Sequence, residues 1–190
     1  MNELSKNRGL PPLKFLIRSA VVLMILCFSS SSIYAQRGEA LSKLKNYVHA
    51  KDGLHTCGSI KSADLKAIHH QGVKTIISLN TESPSKVILL KGQAEALQMK
   101  YIHIPVSWEK PSLASLERFF NAMEESDKVE TLVHCRLNWR ASAFVYLYRT
   151  LRLNEAPDVA QKSLLEVWKP ERNPVWKAFM QEAEKYFRTK

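Results

Sequence analysis

A short apolar segment that runs through a polar loop into a long apolar stretch constrains this chain more than any other feature. Residues 131–133 are apolar or β-branched, and 141–153 are apolar over a length that predicts a buried helix. A strand, a tight loop and a helix N-terminus together form an anion site, because the loop N–H groups point inward and the helix dipole adds partial positive charge. The segment therefore predicts an anion site at the end of a strand.

Two side chains of this loop indicate chemistry on a tetrahedral anion. Cys135 stands at the start of the loop, and Arg140 follows it after four residues. A cysteine beside a helix N-terminus is stabilised as the thiolate, which is the form that attacks. An arginine holds two oxygens of a phosphate or sulfate with its planar guanidinium. The loop thus predicts a nucleophile that faces a bound phosphate or sulfate.

The amino terminus has the pattern of an export signal. A basic start precedes nine unbroken apolar residues at 20–28, and small polar residues then lead to a cleavage point between Ala35 and Gln36. Such an apolar run is too short for a bilayer, which needs about 20 residues. An uncleaved membrane anchor stays open as the alternative. We predict a signal at 1–35, a lead-in at 36–46 and one domain at 47–190. After removal of the signal, the protein is expected in the periplasm or outside the cell, with no stable membrane span.

The composition favours anionic partners and excludes some others. The chain has 28 Lys and Arg against 18 Asp and Glu, which gives a formal charge of +10. This balance favours an anionic substrate or surface. The basic residues are scattered and form no nucleic-acid-binding motif, so we expect no nucleic acid. His69 and His70 are adjacent on a helix and point in different directions, so we predict no metal, and the thiolate chemistry needs no cofactor.

Strand patterns alternate with helix patterns along the chain, and a helical tail ends it. This order predicts an α/β fold with a mostly parallel central sheet covered on both faces. Strands are expected near 47–49, 54–56, 73–79, 101–106 and 131–134, and helices after caps at Ser62, Ser112 and Asn173 and over 86–99, 141–153 and 158–168. The last helix is expected to bury Val175, Trp176, Phe179, Met180, Tyr186 and Phe187.

The motif around Cys135 resembles that of the dual-specificity-like cysteine phosphatases. It reads H-C-x4-R-x-S at 134–142, and an I-P-x-x-W-E-x-P loop precedes it at 104–111. The likeness is to a bacterial branch of small, often exported, tyrosine-phosphatase-like proteins, covers about 47–187 and includes N-P-V-W at 173–176. It implies a parallel sheet of four or five strands flanked by helices, a phosphorylated substrate and a cysteine loop at a strand's carboxyl end.

The resemblance also implies roles for individual residues. Cys135 would be the nucleophile and Arg140 the phosphate clamp. His134 would tune the thiolate from behind, and Ser142 would help the thiolate leave in the second step. The residues expected to surround the phosphate are Arg136, Leu137, Asn138, Trp139, Arg140 and Ser142.

The general acid is expected on the loop before the nucleophile. Glu109 lies 26 residues before Cys135, whereas the family usually has an aspartate there. A group that protonates the leaving oxygen contributes typically about 10²–10⁴-fold to the rate. A solvated loop carboxylate beside Lys110 stays open as the alternative. The nearby Trp108 and Trp139 either stack on an aromatic or sugar substrate or belong to the core.

The sequence departs from the usual pattern of the superfamily, which has five residues between Cys and Arg and then Ser or Thr directly. Here four residues intervene, and Ala141 separates Arg140 from Ser142. Asn138 replaces the glycines that normally supply left-handed backbone. The spacing also resembles rhodanese-like sulfurtransferases, whose cysteine carries a persulfide. A non-catalytic module for phosphorylated or sulfated ligands and an inert buried Cys135 are further alternatives.

Export leaves two cysteines, Cys57 and Cys135, in an oxidising compartment. Cys57 follows the second short strand, in a loop that approaches the active site in the family. We therefore predict a reversible disulfide between Cys57 and Cys135 that protects the nucleophile. Two independent thiols are the alternative. The sequence does not determine the oligomeric state.

Overall fold

Five strands form one mixed sheet in the order β1-β2-β5-β3-β4. The computed structural model describes residues 41–126 and 130–189. Strand β1 forms one edge of the sheet and runs antiparallel to β2, whereas all other pairs of neighbouring strands are parallel. The bounds are β1 Val48–Lys51, β2 Leu54–Cys57, β3 Thr75–Ser78, β4 Lys100–His103 and β5 Thr131–His134. The predicted signal at 1–35 and the first part of the lead-in lie outside the described residues.

Helices cover both faces of this sheet. They are α1 Leu65–His70, α2 Pro84–Ala96, α3 Leu113–Glu124, α4 Trp139–Leu151, α5 Pro157–Leu165 and α6 Pro174–Arg188. Alternate strand residues point to opposite faces. Ile76 and Leu132 therefore pack in the core with α1 and α2, whereas Ile77 and Val133 pack in the core with α3 to α6. The predicted α/β class and two-sided packing are confirmed.

Two of the three predicted helix caps are confirmed. The Ser112 side chain accepts from the Ser115 amide at the start of α3, and Asn173 caps α6. The prediction for Ser62 is wrong, since Ser62 lies inside a 3-10 turn at Ser62–Asp64. At the N-terminus of this turn the Asp64 carboxylate accepts a hydrogen bond from the Lys61 amide at 2.7 Å.

The buried face of α6 is narrower than expected. Val175 is 43% exposed and Tyr186 is 38% exposed, so their predicted burial is wrong. Each is adjacent in sequence to a residue of the buried face. Since successive residues are rotated by about 100° around a helix axis, these two side chains point away from the core. The face that contacts the core consists of Trp176, Phe179, Met180 and Ala183, with Phe187 partly buried.

Candidate active site

A cavity of about 350 Å³ lies over the loop that joins β5 to α4. The loop follows the carboxyl end of β5, which lies between β2 and β3 in the sheet. Ligands of α/β proteins bind at such strand ends. The residues that line the cavity are Thr81, Ser107, Trp108, Glu109, Cys135, Arg136, Leu137, Trp139 and Arg140. The structure thus brings the predicted nucleophile, clamp and acid to one place.

Contacts on the outer side of the loop hold its carbonyl groups away from the cavity. The Arg136 carbonyl accepts from the amide and the hydroxyl of Ser59, each at 3.2 Å. The Leu137 carbonyl accepts from Asn46 Nδ2 at 3.0 Å. The carbonyl of a trans peptide and the N–H that follows it point in opposite directions. The Leu137 amide is therefore turned away from Ser59, on the side of the cavity.

Asn138 gives the loop its left-handed residue, as predicted, with φ 68°. Its side chain is buried and points away from the cavity. Asn138 Nδ2 donates to the Asn46 carbonyl at 2.6 Å and to Thr56 Oγ1 at 2.9 Å. Asn138 therefore shapes the loop and does not line the cavity with its side chain, which leaves only its backbone for the predicted contact with phosphate.

Helix α4 begins directly after Asn138. The Ser142 amide donates to the Asn138 carbonyl at 2.9 Å, and the amides of the helix's first turn lack partners inside the helix. They add positive potential at the loop. Ser142 Oγ donates to the Trp139 carbonyl at 3.2 Å and is not among the groups that line the cavity. Its assistance to the leaving thiolate stays a prediction.

Arg140 is 7% exposed and is fixed by three contacts with uncharged groups. Its Nη1 donates to the Leu79 carbonyl at 3.0 Å and to the Val106 carbonyl at 2.6 Å, and its Nη2 donates to Asn80 Oδ1 at 3.3 Å. A guanidinium has five N–H donors. Within the described residues, two donors of this buried cation therefore remain for a group in the cavity.

Asn80 supports this arginine, and the sequence reasoning did not identify it. Its Nδ2 donates to Glu82 Oε1 at 3.2 Å, and its carbonyl accepts from His103 Nε2 at 2.7 Å. Asn80 follows β3 at the same sheet edge as Cys135. A polar residue just after a neighbouring parallel strand is the signal that would have indicated it.

Glu109 is exposed at the rim of the cavity, on a loop with internal contacts. Ser107 Oγ donates to Glu109 Oε2 at 3.3 Å and accepts from the Lys110 amide at 3.1 Å. Trp176 Nε1 of helix α6 donates to the Trp108 carbonyl at 3.0 Å. The N-P-V-W segment thus anchors the loop that carries the predicted acid, a role that the sequence did not reveal.

His134 is fully buried as the last residue of β5. Burial, and then the nearby positive charge of Lys86, His103 and Arg140, lowers its pKa to about 3. The imidazole is therefore neutral at ordinary pH, and within the described part of the chain neither of its nitrogens has a hydrogen-bond partner. Its predicted tuning of Cys135 stays a prediction, and only a neutral ring is available for it.

Cys57 is the last residue of β2 and does not lie in a loop, which corrects that part of the sequence interpretation. The Cys135 amide donates to the Cys57 carbonyl at 3.2 Å, so the two residues are neighbours across the sheet. Both thiols are buried and free. Burial, then the charge of Cys135, raises the pKa of Cys57 well above its ordinary value. Cys57 is therefore a protonated thiol, and its disulfide with Cys135 stays a prediction.

Two structural features are absent from residues 41–126 and 130–189. In this part no three His, Cys, Asp or Glu side chains are grouped so that they would hold a metal ion. No helix there combines the length and the apolar character needed to cross a bilayer.

A family model described as DSP-PTPase phosphatase fused to NAD+ kinase matches residues 54–182, which is more than half of the chain. The chain belongs to this family. Membership favours the phosphatase interpretation over the sulfurtransferase one. A search of curated proteins found no match.

Several solved structures of phosphatases are similar to this chain. A protein from Shewanella putrefaciens CN-32 described as a DUF442 phosphatase has 25% identity and a TM-score of 0.68, over 78% of this chain and 97% of that one. The catalytic domain of the PP-IP phosphatase SIW14 from S. cerevisiae has 14% identity and a TM-score of 0.60, over 73% and 85%. TpbA from P. aeruginosa, in complex with pTyr, has 12% identity and a TM-score of 0.57, over 71% and 82%. The last two show the fold alone.

Proposed function

We propose that this chain is an exported cysteine phosphatase of the tyrosine or dual-specificity type, which hydrolyses a phosphomonoester through a thiophosphate on Cys135. The observation that carries the proposal is Arg140, a buried cation that lines the same cavity as Cys135 and has two donors without a partner among the described residues. A buried charge is costly unless it is paired. A bound phosphate pairs it, and the first-turn amides of α4 add further donors.

In the first step the Cys135 thiolate attacks phosphorus in line with the leaving oxygen. The S–P bond forms, the P–O bond to the leaving group breaks, and the protonated Glu109 carboxyl gives its proton to that oxygen. The position of Glu109 at the rim supports this role, because a leaving group held in the cavity points outward.

In the second step the Glu109 carboxylate takes a proton from water. The water oxygen attacks phosphorus, the S–P bond breaks, and inorganic phosphate leaves. Neutral His134 beside the nucleophile and Ser142 at the first turn of α4 are the residues proposed to ease the departure of the thiolate. No step requires a metal.

The location of the enzyme is proposed from the sequence. The basic and apolar pattern of 1–35 supports export to the periplasm or beyond, with the phosphatase domain at 47–190. The substrate proposed here is a phosphorylated molecule of the cell envelope or its surroundings.

One experiment separates the remaining functions. The full chain is expressed, and the purified protein is given phenyl phosphate in one assay and thiosulfate with cyanide in another. Phosphate release that Cys135→Ser abolishes, and that Cys57→Ser in reductant keeps, supports the proposal. Formation of thiocyanate would replace it with sulfur transfer. Neither product, with tungstate still bound, would make the protein a non-catalytic binding module.

The proposed redox protection of the nucleophile is tested separately. Hydrogen peroxide, given without substrate, is expected to oxidise the two thiols to a Cys57–Cys135 disulfide while the peroxide is reduced to water. A dithiol reductant then reverses the disulfide with recovery of activity. Alkylation followed by peptide mass analysis checks it. If both thiols are alkylated without reductant after oxidant treatment, the two cysteines do not pair.

A further inference from the structure

A second cavity, of about 450 Å³, adjoins the first one and shares Trp108 and Trp139 with it. Trp168, Lys169 and Arg172 also line it. We call the rings of Trp108, Trp139 and Trp168 the tryptophan shelf. The Trp108 and Trp168 rings pack partly against the core. The mechanism proposed above uses none of the three rings, so their sides that line the cavity are available to a ligand.

The shelf is a rigid apolar surface. The Trp139 and Trp168 rings are stacked with centroids 5.6 Å apart and an angle of 18°. The Trp108 ring lies 5.3 Å from Trp139 and 5.4 Å from Trp168. Trp168 Nε1 donates to the Trp139 carbonyl at 3.0 Å. All three residues are half-buried, so each ring is fixed and still partly accessible to a ligand.

The far side of the shelf is basic. Lys169 and Arg172 are exposed and line the second cavity with no acidic side chain beside them in its lining. Within the described residues no carboxylate forms an ion pair with either side chain. The Trp108 ring is tilted by 48° against Trp139 and by 52° against Trp168. A ligand that extends from Cys135 into the second cavity therefore meets both the aromatic rings and the two cations.

We propose that the tryptophan shelf, Lys169 and Arg172 form the subsite for the leaving group of the substrate. The substrate class is a phosphomonoester of a planar aromatic ring that carries a second anionic group on the side opposite the phosphate. This inference rests on the proposed function, because it assumes that the phosphate occupies the loop at Cys135. The ring stacks on the shelf, and the second anion lies between the two cations.

Three probes test this subsite: phenyl phosphate, 2-naphthyl phosphate and 6-sulfonato-2-naphthyl phosphate. We measure kcat/KM with the wild-type protein and the dissociation constant by calorimetry with Cys135→Ser. The naphthyl ester is expected to bind about threefold to tenfold more tightly than the phenyl ester, because the second ring stacks on tryptophan. The sulfonate is expected to add about twofold to fivefold at low salt, and about 0.5 M salt removes that gain.

Variants assign each gain to its part of the subsite. Trp168→Leu is expected to abolish the naphthyl-to-phenyl preference, while Trp168→Phe keeps part of it and controls for loss of folding. The double change Lys169→Gln with Arg172→Gln is expected to abolish the sulfonate gain and its salt dependence, with the naphthyl-to-phenyl ratio unchanged. Lys177→Gln removes an exposed positive charge from α6 outside the second cavity and is the matched control, with all ratios as in the wild type.

The outcomes separate the subsite from the catalytic proposal. Hydrolysis of all three probes at one rate, with ratios that no shelf variant changes, would overturn the subsite and keep the phosphatase. Absence of hydrolysis, with shelf-dependent binding of the sulfonated probe to Cys135→Ser, would overturn the phosphatase and keep the subsite. Tighter binding of glucose 6-phosphate than of the naphthyl esters would replace the aromatic ring with a sugar and overturn the proposed class.

Discussion

Helix α4 carries a buried arginine near each end, and the two are used in opposite ways. Arg140 lies in the first turn and is 7% exposed, whereas Arg149 lies in the last turn and is 4% exposed. Arg149 Nε and Nη2 donate to the two oxygens of Glu155 at 2.9 Å and 2.8 Å. Its Nη1 donates to the Ala160 carbonyl and to Ser163 Oγ. Its charge is therefore balanced within the protein.

Arg140 has no such balance. Its described contacts are two backbone carbonyls and one amide oxygen, all uncharged. The helix dipole favours a cation at the last turn and disfavours one at the first turn. Both the helix dipole and the lack of a carboxylate partner therefore make the burial of the Arg140 charge less favourable than that of Arg149. Burial of an arginine therefore does not by itself indicate function. The absence of a protein carboxylate beside Arg140 within the described residues is what indicates a place for an external anion.

The change Arg140→Lys tests this difference most strongly. Lysine keeps the charge and loses the planar set of donors, so we expect kcat/KM for phenyl phosphate to fall by about 10²–10³-fold, as when a donor to the transition state is lost. In the wild type, tungstate at 100 times its dissociation constant is expected to stabilise the fold by about 2.7 kcal/mol. Calorimetric melting with and without tungstate is expected to show that Arg140→Lys loses this gain.

The matched control is Arg149→Lys at the other end of the same helix. It is expected to lower the melting temperature without removing the tungstate response or the activity of the folded fraction. If Arg149→Lys and Arg140→Lys lose activity alike, the two arginines do not differ in role.

The change Glu155→Gln tests the structural end of α4. It leaves the Arg149 charge buried without its carboxylate, which typically costs about 3–5 kcal/mol. A value near the lower limit is expected because Arg149 keeps its contacts with the Ala160 carbonyl and with Ser163 Oγ. Urea unfolding measures the loss, and kcat/KM of the folded protein is expected to stay within about twofold. A loss of activity larger than the loss of stability would contradict the separation of the two ends.

Acid is expected to affect the two ends differently. The hydrogen bonds from Arg149 lower the pKa of Glu155 from 4.5 to about 2. Since the carboxyl is more acidic in the folded state, its contribution is complete above pH 4.5 and disappears as the pH falls to about 2. The difference in unfolding free energy between the wild type and Glu155→Gln is therefore expected to shrink over that range. Urea titrations at each pH measure it, and Arg140→Lys is expected to keep the wild-type slope. A constant difference would show that Arg149 does not depress this pKa.

The sequence predicted those parts of the fold that depend on local pattern. Helices and strands lie near their predicted positions, with ends that differ by up to about three residues, because apolar periodicity and caps such as Ser112 act over a few residues. Errors occurred where a neighbour in space decides the outcome, as at Cys57, which pairs with β5 and so continues a strand.

The candidate site likewise has a part that the sequence predicted and a part that it did not. The strand, loop and helix around Cys135 and Arg140 are contiguous, so their placement in one cavity followed from the motif. The contacts of Asn80 with Arg140 and of Trp176 with the Trp108 carbonyl join residues far apart in sequence. The position of Asn80 after β3 indicates that it lies near the site, but no local pattern indicates its hydrogen bond to Arg140 or that of Trp176 to the Trp108 carbonyl.

The smallest expected effect concerns Asn138, which sets the loop between the strand and the functional end of α4. Asn138→Gly and Asn138→Ala both remove the side-chain bonds to Asn46 and Thr56. Alanine adds the cost of a left-handed backbone, about 1–2 kcal/mol, because φ at this position is 68°. We therefore expect Asn138→Ala to be less stable than Asn138→Gly by about 1 kcal/mol in urea unfolding, with the larger loss of tungstate affinity also in the alanine variant. Equal stability of the two variants would mean that the backbone relaxes at position 138 and that Asn138 does not determine the shape of the loop before α4.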